Sequence, residues 1–287
     1  MEPHVQAFFD KATHTVTYLV SDPATRAAAI IDPVLDYDPA AARTSTGSAD
    51  AVLKAVRAHD LDLKWVLETH AHADHLSAAD HIRQLTGVPV VIGEHIDVVQ
   101  KTFAPLFQAD DVRPDGSAFG RLVADGETLA LGDLAITVMH TPGHTPACVS
   151  YRIGDAVFVG DTLFMPDYGT ARADFPGGDA ATLYASIQRL MSLPGETRVF
   201  VGHDYLPKDG RHVFLWETTI AAQRADNIHV HEGVDEAAFV AMRKARDATL
   251  GAPALILPSL QINIRAGALP PPAEGGHRYL KTPLNVL

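Results

Sequence analysis

The chain has 287 residues, 47% of them apolar and 20% charged, with a formal net charge of −12. This is an ordinary globular composition, long enough for one large domain or two modest ones with a sizeable core. The acidity argues against nucleic acid, which demands clustered Lys and Arg, no apolar run reaches the roughly 18 residues of a membrane span, and the lone Cys148 excludes an intramolecular disulfide and fits a reducing cytoplasm.

The N-terminus, Met1-Glu2-Pro3-His4-Val5-Gln6, has neither a basic stretch nor an apolar core, so no signal peptide is expected. Three short strands are predicted over 5–9, 16–20 and 27–31, the last ended by Asp32-Pro33. Residues 48–59 read as a helix with Val52, Leu53 and Val56 on one face. The apolar run 63–68 reads as a buried strand, and Thr69-His70-Ala71-His72-Ala73-Asp74-His75 follows it directly. Strand neighbours alternate faces and cannot aim at one point, whereas a tight loop can. Small Ala71 and Ala73 leave room for the imidazoles to converge.

Ser77 is expected to cap a helix running through Ile82 and Leu85, closed by Gly87 and Pro89. Residues 88–92 read as a strand, 96–107 as a helix, and 108–120 as a polar Gly/Pro-rich loop. Strands follow over 129–131, 134–139, 148–153 and 156–159. Cys148 enters one of them and reads as a small buried thiol rather than a nucleophile. A helix over 179–191, a strand over 198–201 and helices over 212–226 and 235–248 come next. Residues 1–250 are read as one catalytic domain and 251–287 as an extended tail packed on it.

Further metal-competent residues sit at three predicted strand ends, each beside a glycine. They are His144 in Thr141-Pro142-Gly143-His144-Thr145-Pro146, Asp161 in Val159-Gly160-Asp161-Thr162, and His203 in Val201-Gly202-His203-Asp204. Imidazole and carboxylate together suit zinc, iron or manganese. His4, His14, His59, His229, His231 and His277 are read as ordinary solvated side chains.

This constellation resembles the metallo-β-lactamase superfamily, whose pattern is HxHxDH followed by a His, an Asp and a final His. The resemblance implies a four-layer αββα sandwich with metals at one edge. His70, His72 and His144 would form one metal subsite; Asp74, His75 and His203 would form the other, with Asp161 able to bridge. Gly169-Thr170-Ala171-Arg172-Ala173-Asp174-Phe175 also resembles the Gly-x-Arg-x-Asp-Phe signature of the persulfide dioxygenases, also called sulfur dioxygenases or ethylmalonic-encephalopathy-type proteins. His144–Val149 and His203-Asp204-Tyr205 agree with this family, and Leu257–Asn263 and Arg278-Tyr279-Leu280-Lys281 resemble its bacterial branch. Pro166-Asp167-Tyr168 lengthens the loop ahead of Arg172, a departure from the pattern where substrate should lie.

That family implies one Fe(2+) per chain on His70, His144 and Asp161, with His72, Asp74, His75 and His203 either surrounding it or holding a second metal. It also implies oxidation of a thiol persulfide, such as glutathione persulfide, with O2 to sulfite and thiol. Arg172, Tyr205 and His203 are the expected catalytic residues. Arg172 would hold the substrate anion, its alternative being an ion pair to Asp174 or Asp179. Tyr205 would reach the open metal positions, its alternative being a packed core side chain. The expected assembly is a cytoplasmic homodimer or higher homo-oligomer. The competing reading is a dinuclear Zn(2+) hydrolase of the glyoxalase II or lactonase type, which attacks an ester carbonyl with a metal-activated water.

Overall fold

The computed structural model describes residues 2–285; Met1 of the expected leaderless start and Val286 and Leu287 of the expected tail lie outside them. The first half runs β1 (His4–Phe9), β2 (Val16–Ser21), β3 (Ala27–Ile31), β4 (Val34–Asp38), β5 (Arg43–Ser45), α1 (Gly47–Ala58), β6 (Asp62–Leu67), β7 (Leu76–Ser77), α2 (Ala79–Thr86), β8 (Val90–Gly93), α3 (Ile96–Leu106) and β9 (Arg121–Val123). The second half runs β10 (Thr128–Leu131), β11 (Leu134–His140), β12 (Val149–Ile153), β13 (Ala156–Phe158), α4 (Ala180–Met191), β14 (Arg198–Phe200), β15 (Glu217–Thr219), α5 (Ile220–Asp226), α6 (Glu236–Asp247) and α7 (Ile256–Asn263).

Two six-stranded sheets, ordered β1-β2-β3-β6-β8-β9 and β10-β11-β12-β13-β14-β15, face each other, and β5-β4-β7 form a small third sheet. Period-two alternation sorts side chains between layers. In β3, Ala27, Ala29 and Ile31 point into the inter-sheet core with Val16, Tyr18 and Val20 of β2. Ala28 and Ile30 point the other way, onto a layer containing residues of α1, α2, α3 and α7. Across the second sheet, Val157 and Val199 pack against Leu183 and Ile187 of α4, Ile220 of α5 and Phe239 of α6. The result is the expected αββα sandwich. No helix of the described residues is long and apolar enough to cross a membrane.

Two expectations are corrected. The helix expected over 212–226 begins only at Ile220, because Glu217–Thr219 instead pair with Arg198–Phe200 of β14 and the Thr219 hydroxyl caps α5 by accepting from the Ala222 amide. The tail expected to be extended contains α7, whose Leu260 and Ile262 are buried in the first helical layer. Pro258 looks like a breaker in sequence, yet it lies in the first helical turn, where its missing N–H costs nothing.

The fold brings the candidate residues to one end of the sandwich. The loops after β6, β11, β13 and β14 carry His70–His75, His144, Asp161 and His203 respectively. A main-chain bond from the Val149 amide to the Thr69 carbonyl (2.9 Å) ties the two sheets together beside the first of these loops.

Candidate metal centre

The loop after β6 is held from three sides. Asp32, just past β3, accepts from the Thr69 amide (2.7 Å) and hydroxyl (2.8 Å). Asn263 of α7 donates to the carbonyls of His72 and His75, both at 2.8 Å, and accepts from the Ser77 amide. Glu68 accepts from the Ser77 hydroxyl. Ala71 and Ala73 are buried, as the sequence requires of residues packed between converging rings. Two glycines leave room nearby: a Cβ on Gly202 would stand 3.0 Å from Asp161 Oδ1, and one on Gly160, whose φ is +49°, would stand 2.5 Å from the Thr69 hydroxyl.

Each histidine has one ring nitrogen committed, which fixes the other's role. The Thr69 hydroxyl gives its proton to Asp32 and so accepts from His70 Nδ1 (3.0 Å), leaving His70 Nε2 a free acceptor. His144 Nδ1 donates to the Arg172 carbonyl (2.8 Å) and His75 Nδ1 to the Leu76 carbonyl (3.2 Å). His203 Nδ1 lies 3.3 Å from the Thr15 hydroxyl. His72 is turned over: its Nε2 lies 3.1 Å from both Asp32 and Glu68, and its Nδ1 faces the site.

Among the described residues, six of the eight buried polar side-chain atoms without a hydrogen-bond partner gather here: His70 Nε2, His72 Nδ1, Asp74 Oδ2, His75 Nε2, Asp161 Oδ1 and His203 Nε2. Each such atom costs roughly 1–3 kcal/mol if nothing satisfies it. A cation bound among them would satisfy the atoms it reaches, and this donor set fits a divalent metal. The donors fall into two groups of mutually close ligand atoms, His70–His144–Asp161 and His72–Asp74–His75–His203; a third, Asp32–Glu68–His72, lies behind His72.

The electrostatics set His72 apart from His70 and His75. Burial, reinforced by the neighbouring histidines, holds His70 well below the usual imidazole range, and burial with His72 beside it takes His75 down to about 3. Burial alone would lower His72 too, but Asp32 and Glu68 raise it well above the ordinary value. Burial pushes Glu68 up despite that contact, whereas for Asp32 the interaction with His72 outweighs burial and lowers it.

A cavity of about 380 Å³ opens on Asp74, His144 and Asp161, with Phe164, Tyr168 and Tyr205 forming an aromatic wall. Tyr205 stacks on His203 at 5.6 Å between ring centroids and 14° between planes. Burial raises its pKa, so it keeps its proton. Asp167 of the lengthened loop and Asp204 share Arg211, which fastens the two loops of this wall together.

Arg172 also lines the cavity, but its fork is already engaged with both Asp174 oxygens (2.5 and 2.6 Å) and the Gly251 carbonyl (2.7 Å). The ion pair to Asp174, given above as the alternative, is thus formed in the structure. His229, read as solvated, is buried; its Nδ1 accepts from the Thr170 amide at 3.0 Å. Cys148 is a buried thiol pushed up to about 12 by burial. Sequence reading missed Asp32, Glu68 and Asn263, which position the loop, and Arg243 and Arg246 of α6, which line the cavity. Asp32 carried one local signal, its place at a strand end; Arg243 and Arg246 carried none.

The Metallo-beta-lactamase superfamily model matches residues 11–203. A probable metallo-hydrolase of Burkholderia pseudomallei is 52% identical over 99% of both chains. Glyoxylase B2 of Dictyostelium discoideum is 46% identical, covering 99% of this chain and 97% of its own. The human mitochondrial persulfide dioxygenase ETHE1 is 31% identical, covering 70% of this chain and 68% of its own. The chain spans 65% of the length of a beta-lactamase hydrolase-like protein of Xylella fastidiosa that it matches. Among solved structures, ETHE1 from Myxococcus xanthus superposes with a TM-score of 0.74 at 33% identity, covering 92% of this chain and all of that one.

Proposed function

The chain belongs to the metallo-β-lactamase superfamily, and within it we propose that it is a mononuclear non-haem Fe(II) persulfide dioxygenase. The reaction is RSSH + O2 + H2O giving RSH, sulfite and two protons, with a low-molecular-weight thiol such as glutathione as R. The observation that carries this reading is the separation of the donor groups. His70, His144 and Asp161 form a group of their own, two imidazoles and one carboxylate, while His72, its Nε2 engaged by Asp32 and Glu68, offers its Nδ1 to the group of Asp74, His75 and His203. A three-histidine zinc subsite would need His72 alongside His70 and His144. Two histidines and one carboxylate, with positions left open, are the set used by non-haem iron oxygenases.

In this reading His70, His144 and Asp161 would hold the iron, which would supply the one-electron exchange with O2 that zinc does not. The protein's part is orientation and proton control. The Thr69 hydroxyl and the Arg172 carbonyl fix the ring faces of His70 and His144. His203 Nε2 stands close to both carboxylates, 3.2 Å from Asp74 and 3.3 Å from Asp161. Tyr205 offers the cavity a phenol that stays protonated. The aromatic wall gives this cavity an apolar side.

A second reading, a dinuclear zinc hydrolase, is favoured by the unpartnered atoms of His72, Asp74, His75 and His203. Elemental analysis of protein purified from iron-supplemented medium separates the two. One iron per chain supports the dioxygenase, and two zincs support the hydrolase.

A further inference from the structure

Three arginines line the cavity, Arg172, Arg243 and Arg246, and two of them are already neutralised. Arg172 is paired with Asp174. Arg243 is buried, with Nε and Nη2 both on Asp247 (2.9 and 2.7 Å) and Nη1 on the Thr170 carbonyl (3.2 Å). Arg246, one turn along the same helix face, is exposed, and its side chain makes no ion pair or hydrogen bond among the described residues. Its main chain is nevertheless fixed, since the Arg246 carbonyl accepts from both the amide (3.0 Å) and hydroxyl (2.7 Å) of Thr249. The positive charges of Arg243 and Arg246 also help burial to lower His229, which anchors Thr170 in the cavity wall. The uncommitted charge at this cavity is thus Arg246.

We propose that Arg246 is the specificity residue of the cavity, holding a carboxylate of the thiol carrier while the carrier's sulfur points to His144 and Asp161. The inference deepens the proposed function and rests on its carrier being a small thiol. A cavity of about 380 Å³ sits at the small end of the range for enclosed ligands, which suits a peptide-sized thiol. In glutathione the γ-glutamyl carboxylate lies beside its own ammonium, so the glycyl carboxylate carries the net charge. A chain of net charge −12 repels such an anion unless a local cation receives it, and a guanidinium receives a carboxylate through two parallel bonds.

The test is titration calorimetry on the iron-loaded protein with two probes, glutathione and its glycyl ethyl ester. Wild type should bind glutathione about ten-fold more tightly than the ester, the scale of one charged hydrogen-bonded contact. Arg246→Ala should lose that preference while its affinity for the ester stays unchanged, and Arg246→Lys should recover part of it. Equal affinity of wild type for both probes, no binding of either, or an unchanged preference in Arg246→Ala overturns the proposal. Because calorimetry needs no turnover, a protein that discriminates the two probes but consumes no O2 with glutathione persulfide overturns the dioxygenase reading and leaves the Arg246 site standing.

Discussion

The Arg172 carbonyl accepts the Nδ1–H of His144 at 2.8 Å, so the segment marked in sequence as a substrate-binding signature reaches the metal centre through its backbone. The guanidinium meanwhile faces Asp174 and the Gly251 carbonyl. Arg172→Ala keeps the carbonyl and should leave iron stoichiometric, while costing stability by about 1 kcal/mol or less, as for a part-exposed ion pair. Metal analysis and urea unfolding check both. Iron loss matching that of His144→Ala would mean that the side chain, not the backbone, holds the loop in register.

Removing one of the three proposed ligands should remove the metal. His70→Ala, His144→Ala and Asp161→Ala are each expected to purify with little iron and no activity, since two ligands hold Fe(II) weakly. His203→Ala should keep most of its iron and lose turnover instead, because His203 belongs to the other donor group. Equal metal loss in His203→Ala and His144→Ala would establish an occupied second subsite.

Asn263 clamps two carbonyls of the ligand loop from 188 and 191 residues away in sequence. Asn263→Ala leaves those carbonyls and the Ser77 amide buried without partners, so it should destabilise the protein by about 2–4 kcal/mol and weaken metal retention. Differential scanning calorimetry and a chelator challenge measure the two effects. An unchanged unfolding temperature would show that the loop is held by Asp32 and Glu68 without α7.

The ligand loop, many of the strands and most helices were legible because their signals are local: alternating apolar residues, and a glycine beside each of His144, Asp161 and His203. Asn263, Glu68 and Arg246 were not, because their roles arise only where distant segments meet. Asn263 sits in a Pro-flanked stretch that reads as extended chain, and α7 forms because Pro258 falls in the first turn and Leu260 finds the first helical layer. His229 was misread for the same reason, since nothing next to it in sequence announces its bond to Thr170. Arg172 was legible as a motif, but its partner, two residues away, decides what its charge does.

His229 makes stability depend on acid. Burial, with Arg243 and Arg246 nearby, lowers it from the usual imidazole value of about 6.5 to about 4. The folded protein therefore keeps it neutral where the unfolded chain protonates it. Its contribution is full above pH 6.5 and is lost as pH falls towards 4, by up to about 2 kcal/mol after allowance for solvent screening. Urea midpoints at pH 7 and pH 4.5 should differ less in His229→Gln than in wild type; an equal drop in both would show that His229 is protonated in the folded state.

The most direct measurement is oxygen consumption by the iron-loaded protein on addition of glutathione persulfide, with sulfite followed in parallel. The expected result is O2 uptake and sulfite release in a one-to-one ratio, abolished in Asp161→Ala. Hydrolysis of S-lactoylglutathione by the same preparation, with no O2 consumed from the persulfide, would contradict the dioxygenase assignment and return the site to the zinc hydrolases.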